Sequence, residues 1–206
     1  MSIRDSYNNW AQQYDTNENK TRDLEAVALR EVLKDISFKR VLEIGCGTGK
    51  NTAWFVDKAN EILAVDLSDN MLEKAKQKIT SPKVRFQQAD ILLPWSFATG
   101  LYDLVSFNLV LEHIENLDDV FQKVATVLAP GGHVYIGELH PFKQYAGSKA
   151  RFETETGTEI VTCYQHHLSD FVHAAKRNGL QVVDVNEYFD DRERNGLPRI
   201  LTLLLR

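Results

Sequence analysis

Three glycines at alternate positions, Gly45, Gly47 and Gly49, end the apolar run Val41-Leu42-Glu43-Ile44 and lead into a helical pattern from about Lys50. Glycine admits positive φ and lets a ligand come close to the backbone, and a helix start offers N–H groups that no intrahelical carbonyl takes. Such a turn suits a bound ligand; its plainer use is a tight strand–helix connection. The next apolar run closes as Ala64-Val65-Asp66-Leu67-Ser68. A carboxylate there stands beside the turn, near the ~20-residue offset of acids that accept both ribose hydroxyls of an adenosine. Its plainer role is a helix cap. The spacing argues against two phosphate-binding loops. A dinucleotide fingerprint needs its third glycine where Lys50 stands, and no Gly-Lys-Ser/Thr follows the turn. For proton transfer the candidates are His113, His140 and His166. No catalytic triad and no zinc-ligand spacing occurs, so no metal is expected.

Those residues need elements to hold them. Apolar runs bounded by turn residues at Arg40–Ile44, Glu61–Val65, Val84–Gln87, Leu104–Asn108, His133–Gly137, Gln181–Val185 and Ile200–Leu205 predict strands. Helical spacing marks Thr21–Asp35, Asn70–Ile79 after a Ser68 or Asp69 cap, and Leu117–Leu128, which Pro130-Gly131-Gly132 stops. Strands alternating with helices imply right-handed βαβ units and a doubly wound, mostly parallel seven-stranded α/β sheet of Rossmann-like type. The last two runs are joined by a short polar stretch, Asp190-Asp191-Arg192-Glu193-Arg194-Asn195-Gly196, too polar for a crossover helix, so an antiparallel hairpin strand closes the sheet. Residues 138–164 show weak periodicity and gather His140, Lys143, Tyr145, Lys149, Arg151 and Phe152; they read as a lid-like insertion over the carboxyl edge of the sheet.

At 206 residues the chain suits one domain with a sizeable core, and 43% hydrophobic with 26% charged residues is ordinary for a globular protein. A formal net charge of −5 offers no basic field for nucleic acid or anionic lipid, so neither is an expected partner. Cys46 and Cys163 are too few for a disulfide framework and fit a reducing compartment. The start MSIRDSYNNWAQQYD lacks an apolar leader core, and no run approaches the ~18 apolar residues of a membrane span. A cytoplasmic location, as monomer or homodimer, is the expectation.

Glu43-Ile44-Gly45-Cys46-Gly47-Thr48-Gly49, then Asp66-Leu67-Ser68-Asp69-Asn70-Met71-Leu72, Gln88-Ala89-Asp90, and Leu128-Ala129-Pro130-Gly131-Gly132 resemble, in order and spacing, the motifs of class I S-adenosylmethionine-dependent methyltransferases. The resemblance spans nearly the whole chain. It implies a single methyltransferase domain over 1–206, with 1–37 as an N-terminal cap and first helix, and S-adenosyl-L-methionine as cofactor. It further implies that Glu43 with Gly45, Gly47 and Gly49 holds the methionine part, that Asp66 meets the ribose, that Met71 packs on the adenine, that Asp90 with Ile91 borders its amino edge, and that Cys46, Leu67 and Ala89 also contact the cofactor. Tyr102 to Ile114 resembles the family's fourth motif, where Asn108 and His113 would line the methyl-transfer site. Tyr7, Trp10 and Tyr14 resemble its N-terminal cap; aromatic rings there can lie against a sulfonium. His140-Pro141 and Tyr164-Gln165-His166 resemble elements of small-molecule methyltransferases.

The expected activity is therefore methyl transfer to a small molecule by in-line displacement, with alignment and water exclusion as the enzyme's main work and His140, His113 or His166 as base where the nucleophile needs one. Lys143, Lys149, Arg151 and Arg199 would suit a carboxylate or phosphate on the acceptor. Alternatives are a macromolecular acceptor or a non-catalytic S-adenosylmethionine-binding protein; the Gly49-Lys50 spacing speaks against a dinucleotide-dependent oxidoreductase.

Overall fold

A computed structural model describes residues 2–154 and 157–206. Strands β1 (Arg40–Ile44), β2 (Glu61–Asp66), β3 (Val84–Gln88), β4 (Tyr102–Asn108), β5 (Leu128–Leu139), β8 (Val182–Tyr188) and β9 (Ile200–Leu205) form one sheet in the order β3-β2-β1-β4-β5-β9-β8. The first five are mutually parallel, and β9 runs antiparallel between β5 and β8. The helices are α1 (Ile3–Trp10), α2 (Lys20–Leu33), α3 (Lys50–Val56), α4 (Asp69–Lys78), α5 (Leu117–Val127), α6 (Pro141–Tyr145) and α7 (Leu168–Arg177). None of them is long and apolar enough to cross a membrane among the described residues.

The alternating side-chain directions of a strand divide the core. On β1, Leu42 and Ile44 join Phe107, Phe121, Val124 and Phe171 on one face, while Val41 joins Leu29, Leu33, Phe55 and Tyr135 on the other. Because helices cover both faces, the central strands are apolar almost throughout. Ile44 is in register with Val65 of β2 and Phe107 of β4, so three strands end at one level and their following loops meet there. The sheet changes winding direction between β1 and β4, the usual place for a crevice in such folds.

Several expected boundaries move. Helix α5 stops at Val127, and Pro130-Gly131-Gly132 does not end the element outside the sheet: β5 begins at Leu128 and absorbs those residues where pairing jumps from Tyr102↔Leu128 to Leu104↔His133. Within 138–164 the described residues hold the end of β5, α6 and a separate hairpin of β6 (Arg151–Thr154) and β7 (Gly157–Ile160). The N-terminal cap is itself a helix preceding the one expected first. A reciprocal Ser2–Asp5 capping box starts α1, with Asp5 N–H donating to Ser2 Oγ at 3.2 Å.

Helix α1 is pinned from two sides. Ser68 Oγ donates to Asn8 Oδ1 at 2.6 Å, tying it to the start of α4. On the other side Trp10 stacks on Phe152 of β6 (centroids 5.1 Å) and meets Tyr14 edge-on (5.0 Å), while Ser6 Oγ donates to Glu159 Oε1 and Gln13 Nε2 to Glu153 O, each at 2.7 Å. These aromatics form a small cluster apart from both main cores. Trp10→Ala should therefore loosen the cap alone. A loss of about 3 kcal/mol there would speed amide exchange in α1 and β6 about 100-fold. Hydrogen-exchange mass spectrometry should find β1 and β4 unaffected; uniform acceleration would instead place Trp10 in the main cooperative unit.

Candidate active site

Beyond the carboxyl ends of β1, β2 and β4 lies a cavity of about 580 Å³, within the range of small-molecule sites. The glycine turn forms its floor. Gly45 sits at φ +71°, and a Cβ there would fall 2.0 Å from Val110 Cγ2, so only glycine lets the β4 loop close over the turn. Gly49, at φ +86°, begins α3. Gly45 and Gly47 line the cavity, whereas Gly49 packs against Ile79 and Ala75 of the α4 end and does not.

Asp66, the last residue of β2, is the site's anchor. Its Oδ2 accepts the Gly47 N–H and its Oδ1 the Ser68 N–H, both at 2.8 Å. Burial pushes its carboxyl up, opposed by the Ser68 and Gly47 amides. A carboxylate has roughly four acceptor sites, so about half remain for a ligand. Leu67, Met71, Ala89, Asp90 and Ile91 complete that side, and Asp90 Oδ1 is engaged by the Leu92 N–H at 2.9 Å.

Glu43 and Cys46, expected beside the turn's ligand, are buried behind it and do not line the cavity. Residue alternation on β1 turns Glu43 toward α3, where Thr52 Oγ1 donates to its Oε2 at 2.5 Å. Nearby, buried Glu25 receives Asn51 Nδ2–H at 2.9 Å and the Tyr135 hydroxyl at 3.2 Å. Burial drives both carboxyls up, Glu25 to about 7 and Glu43 to about 8.

The opposite wall brings a histidine and a tyrosine together. His113 Nδ1 lies 2.7 Å from the Thr162 carbonyl, which can only accept, so Nδ1 bears the hydrogen and Nε2 is an acceptor. The Tyr7 hydroxyl donates to that Nε2 at 2.8 Å. Burial pushes the Tyr7 phenol well up, and it keeps its proton. Tyr7, Tyr14, His113 and Asn108 all line the cavity. Beside them Leu109 is held at φ +58°, a conformation costing a side-chain-bearing residue about 1 kcal/mol or more, and such strain gathers at functional sites. Buried Glu138 supports this turn, its Oε1 accepting the N–H groups of Val110 (3.0 Å) and Leu111 (2.9 Å).

His140 and His166 do not share the cavity mouth with His113. His140 caps α6, Nδ1 accepting the Phe142 N–H at 3.1 Å, and its Nε2–H donates to Glu187 Oε1 at 3.0 Å. His166 is buried against Phe171 and donates from Nε2 to the Ile114 carbonyl at 2.7 Å. Of the three histidines, His113 is the one in the cavity wall, and its partner is a tyrosine that stands 106 residues away in sequence. The strained Leu109 was not anticipated at all; a bulky residue at positive φ leaves no trace in composition or periodicity.

The buried Glu43 makes stability depend on pH. Its carboxyl holds a proton in the folded chain up to about 8, against 4.5 when unfolded, so its contribution is full below pH 4.5 and is lost as pH rises through that window. Glu43→Gln, with a permanently neutral amide, should flatten the decline in unfolding free energy between those limits. Denaturant melts of both proteins across the window check this, and a parallel decline in the two would show that Glu43 is already ionised in the fold.

Comparison with known proteins bears on what the cavity is for. A methyltransferase domain matches residues 42–136. An uncharacterized methyltransferase of Emericella nidulans is 27% identical over 245 aligned positions, covering 97% of this chain and 83% of the relative. A malonyl-acyl-carrier-protein O-methyltransferase of Enterobacter lignolyticus is 35% identical over 117, covering 56% of this chain and 44% of the relative, so the match spans less than half of that protein. A crystal structure described as that of a "putative S-adenosylmethionine dependent methyltransferase" from Listeria monocytogenes is 26% identical with a TM-score of 0.76, covering 89% of this chain and 97% of that one. The matched domain begins in β1 and ends in β5, so it holds every strand whose carboxyl end borders the cavity, and over residues 42–136 the chain is a methyltransferase domain.

Proposed function

We propose that this enzyme methylates a small-molecule acceptor, with the cofactor held on the Gly45–Asp66 side of the cavity and the acceptor's proton taken through Tyr7 and His113. The observation that carries the reading is the roof. Ser2, Ile3, Arg4, Asp5, Tyr7 and Tyr14 line the cavity from above, pinned by α4 and the β6–β7 hairpin, which suits an acceptor small enough to pass beneath them. The relative named as a malonyl-acyl-carrier-protein O-methyltransferase supports an oxygen acceptor.

The residues present suit S-adenosylmethionine. Gly45 and Gly47 leave the space that a Cβ would occupy, Asp66 retains free acceptor positions for vicinal hydroxyls, and Met71 offers an apolar face. When bound, this cofactor supplies a methyl on a sulfonium, whose C–S bond breaks with both electrons staying on sulfur as the acceptor's lone pair forms the new bond. The cap excludes water and aligns the acceptor. A hydroxyl acceptor gives its proton to the Tyr7 oxygen while Tyr7 passes its own to His113 Nε2. The Thr162 carbonyl holds the ring in the tautomer this requires, and Glu112 Oε1, 4.0 Å from Nε2, faces the imidazolium that forms. On this reading His140 and His166 position α6 and the loop before α7.

Two measurements test it. Calorimetry should show S-adenosylhomocysteine binding, weakened by roughly 1–3 kcal/mol in Asp66→Ala; an unchanged Kd in a folded variant would reduce Asp66 to a helix cap. With an oxygen acceptor in hand, Tyr7→Phe and His113→Gln should each lower kcat about 10²- to 10⁴-fold while S-adenosylhomocysteine affinity stays put. Equal losses in binding and turnover would reject the relay.

A further inference from the structure

A second chamber, of about 500 Å³, shares Tyr7, Tyr14 and Leu109 with the first, so the aromatic pair and the strained residue form the partition between them. Its remaining walls come from residues 18–21 at the entry to α2, from Leu139 at the end of β5, from residues 148–151 leading into β6, and from Arg199 before β9. In a chain of net charge −5 this lining is the reverse of the average: Lys20, Lys149, Arg151 and Arg199 face only Glu18 and Glu112. Arg199 is engaged by Asp190 and Thr21. Lys20, Lys149 and Arg151 have no ion-pair partner among the described residues.

Two buried polar groups on the same walls are also unmatched. Trp10 Nε1 and Glu112 Oε2, on residues 7% and 6% exposed, have no hydrogen-bond partner among the described residues. Leaving buried polar atoms unpaired is costly, and such atoms beside a cavity point to a ligand that completes them. The Trp10 N–H is a donor; burial pushes the Glu112 carboxyl up, against the pull of His113, Cys163 and Gln144. Cations at the rim, polar groups within and apolar Tyr7, Trp10 and Leu139 between them describe one class of molecule.

We infer that this chamber is the acceptor site and takes a small molecule with an aromatic or aliphatic body and an oxyanion, carboxylate or phosphate, met by Lys149 and Arg151, its reacting atom reaching the Tyr7–Tyr14 partition. The inference rests on the methyltransferase reading above and adds the acceptor's class. Cations at and just before the start of β6 also give long-range attraction to an anionic acceptor, which salt screens.

The test uses full-length protein saturated with S-adenosylhomocysteine and two matched pairs of probes: phenylacetate against phenylacetamide, and phenyl phosphate against phenol. Ligand-observed NMR titrations should show the anion of at least one pair binding about tenfold more tightly than its neutral partner, the advantage of a charge-assisted contact over a neutral one. Which pair shows it separates carboxylate from phosphate. Lys149→Ala with Arg151→Ala, both exposed positions, should erase that preference and leave S-adenosylhomocysteine affinity within about twofold; Lys20→Ala provides a second, independent reduction. Equal binding of charged and neutral probes, no binding of any probe to protein that does bind S-adenosylhomocysteine, or a preference that survives the double substitution would overturn the inference. Failure of S-adenosylhomocysteine itself to bind would instead strike the methyltransferase reading.

Discussion

The Asp66 carboxylate holds together segments that are far apart in the chain, and the rest of the site takes its positions from them. By accepting the Gly47 and Ser68 amides it locks the glycine turn after β1 to the start of α4. Ser68 in turn caps α4 through the Met71 N–H and binds Asn8, which brings α1 over the cavity. One side chain at the tip of β2 therefore fixes floor, side wall and roof. Its buried charge is tolerable because two amides are aimed at it, and its remaining lone pairs are directed by the same bonds.

Around this anchor the fold buries acids without burying cations beside them. Glu25, Glu43, Glu112 and Glu138 are each under 7% exposed, and burial pushes every one of their carboxyls up. In the absence of ligand such a set is a store of unfavourable desolvation, with Glu112 and Glu138 each leaving one oxygen unpaired among the described residues. A cationic ligand reverses the balance, since positive charge nearby favours the ionised form of the acids around it. Sulfonium and ammonium groups are both of that kind. The second chamber is basic at its rim, with Glu112 alone of these four acids in its lining, and the aromatic wall of Tyr7 and Tyr14 stands between it and the first.

That wall belongs to the part of the protein least fastened to the sheet. Trp10, Tyr14 and Phe152 pack on one another rather than into either main core, and the β6–β7 hairpin reaches α1 through a few polar bonds. Elements with small, separate cores open at lower free energy than the body of a domain. A roof that must admit and release two molecules has to come from that class, while the floor, built on three mostly buried strands, stays rigid.

Local sequence determined much about this protein. Period-two and near-continuous apolar runs marked the seven strands of the main sheet, because burial on both faces leaves little freedom in residue type, and glycines at 45, 47 and 49 marked the turn, because positive φ admits little else. The antiparallel ending was legible in the shortness and polarity of the stretch before β9. Tertiary structure decided the rest. Whether Glu43 faces the cavity or lies behind it depends on strand register against α3, and which of three histidines meets a tyrosine depends on how α1 docks; neither is encoded within one segment. The β6–β7 hairpin escaped notice because its stability lies in packing against Trp10 rather than in its own periodicity, and Leu109's strained backbone exists because bonds from Gly137 and Glu138 hold the turn from outside.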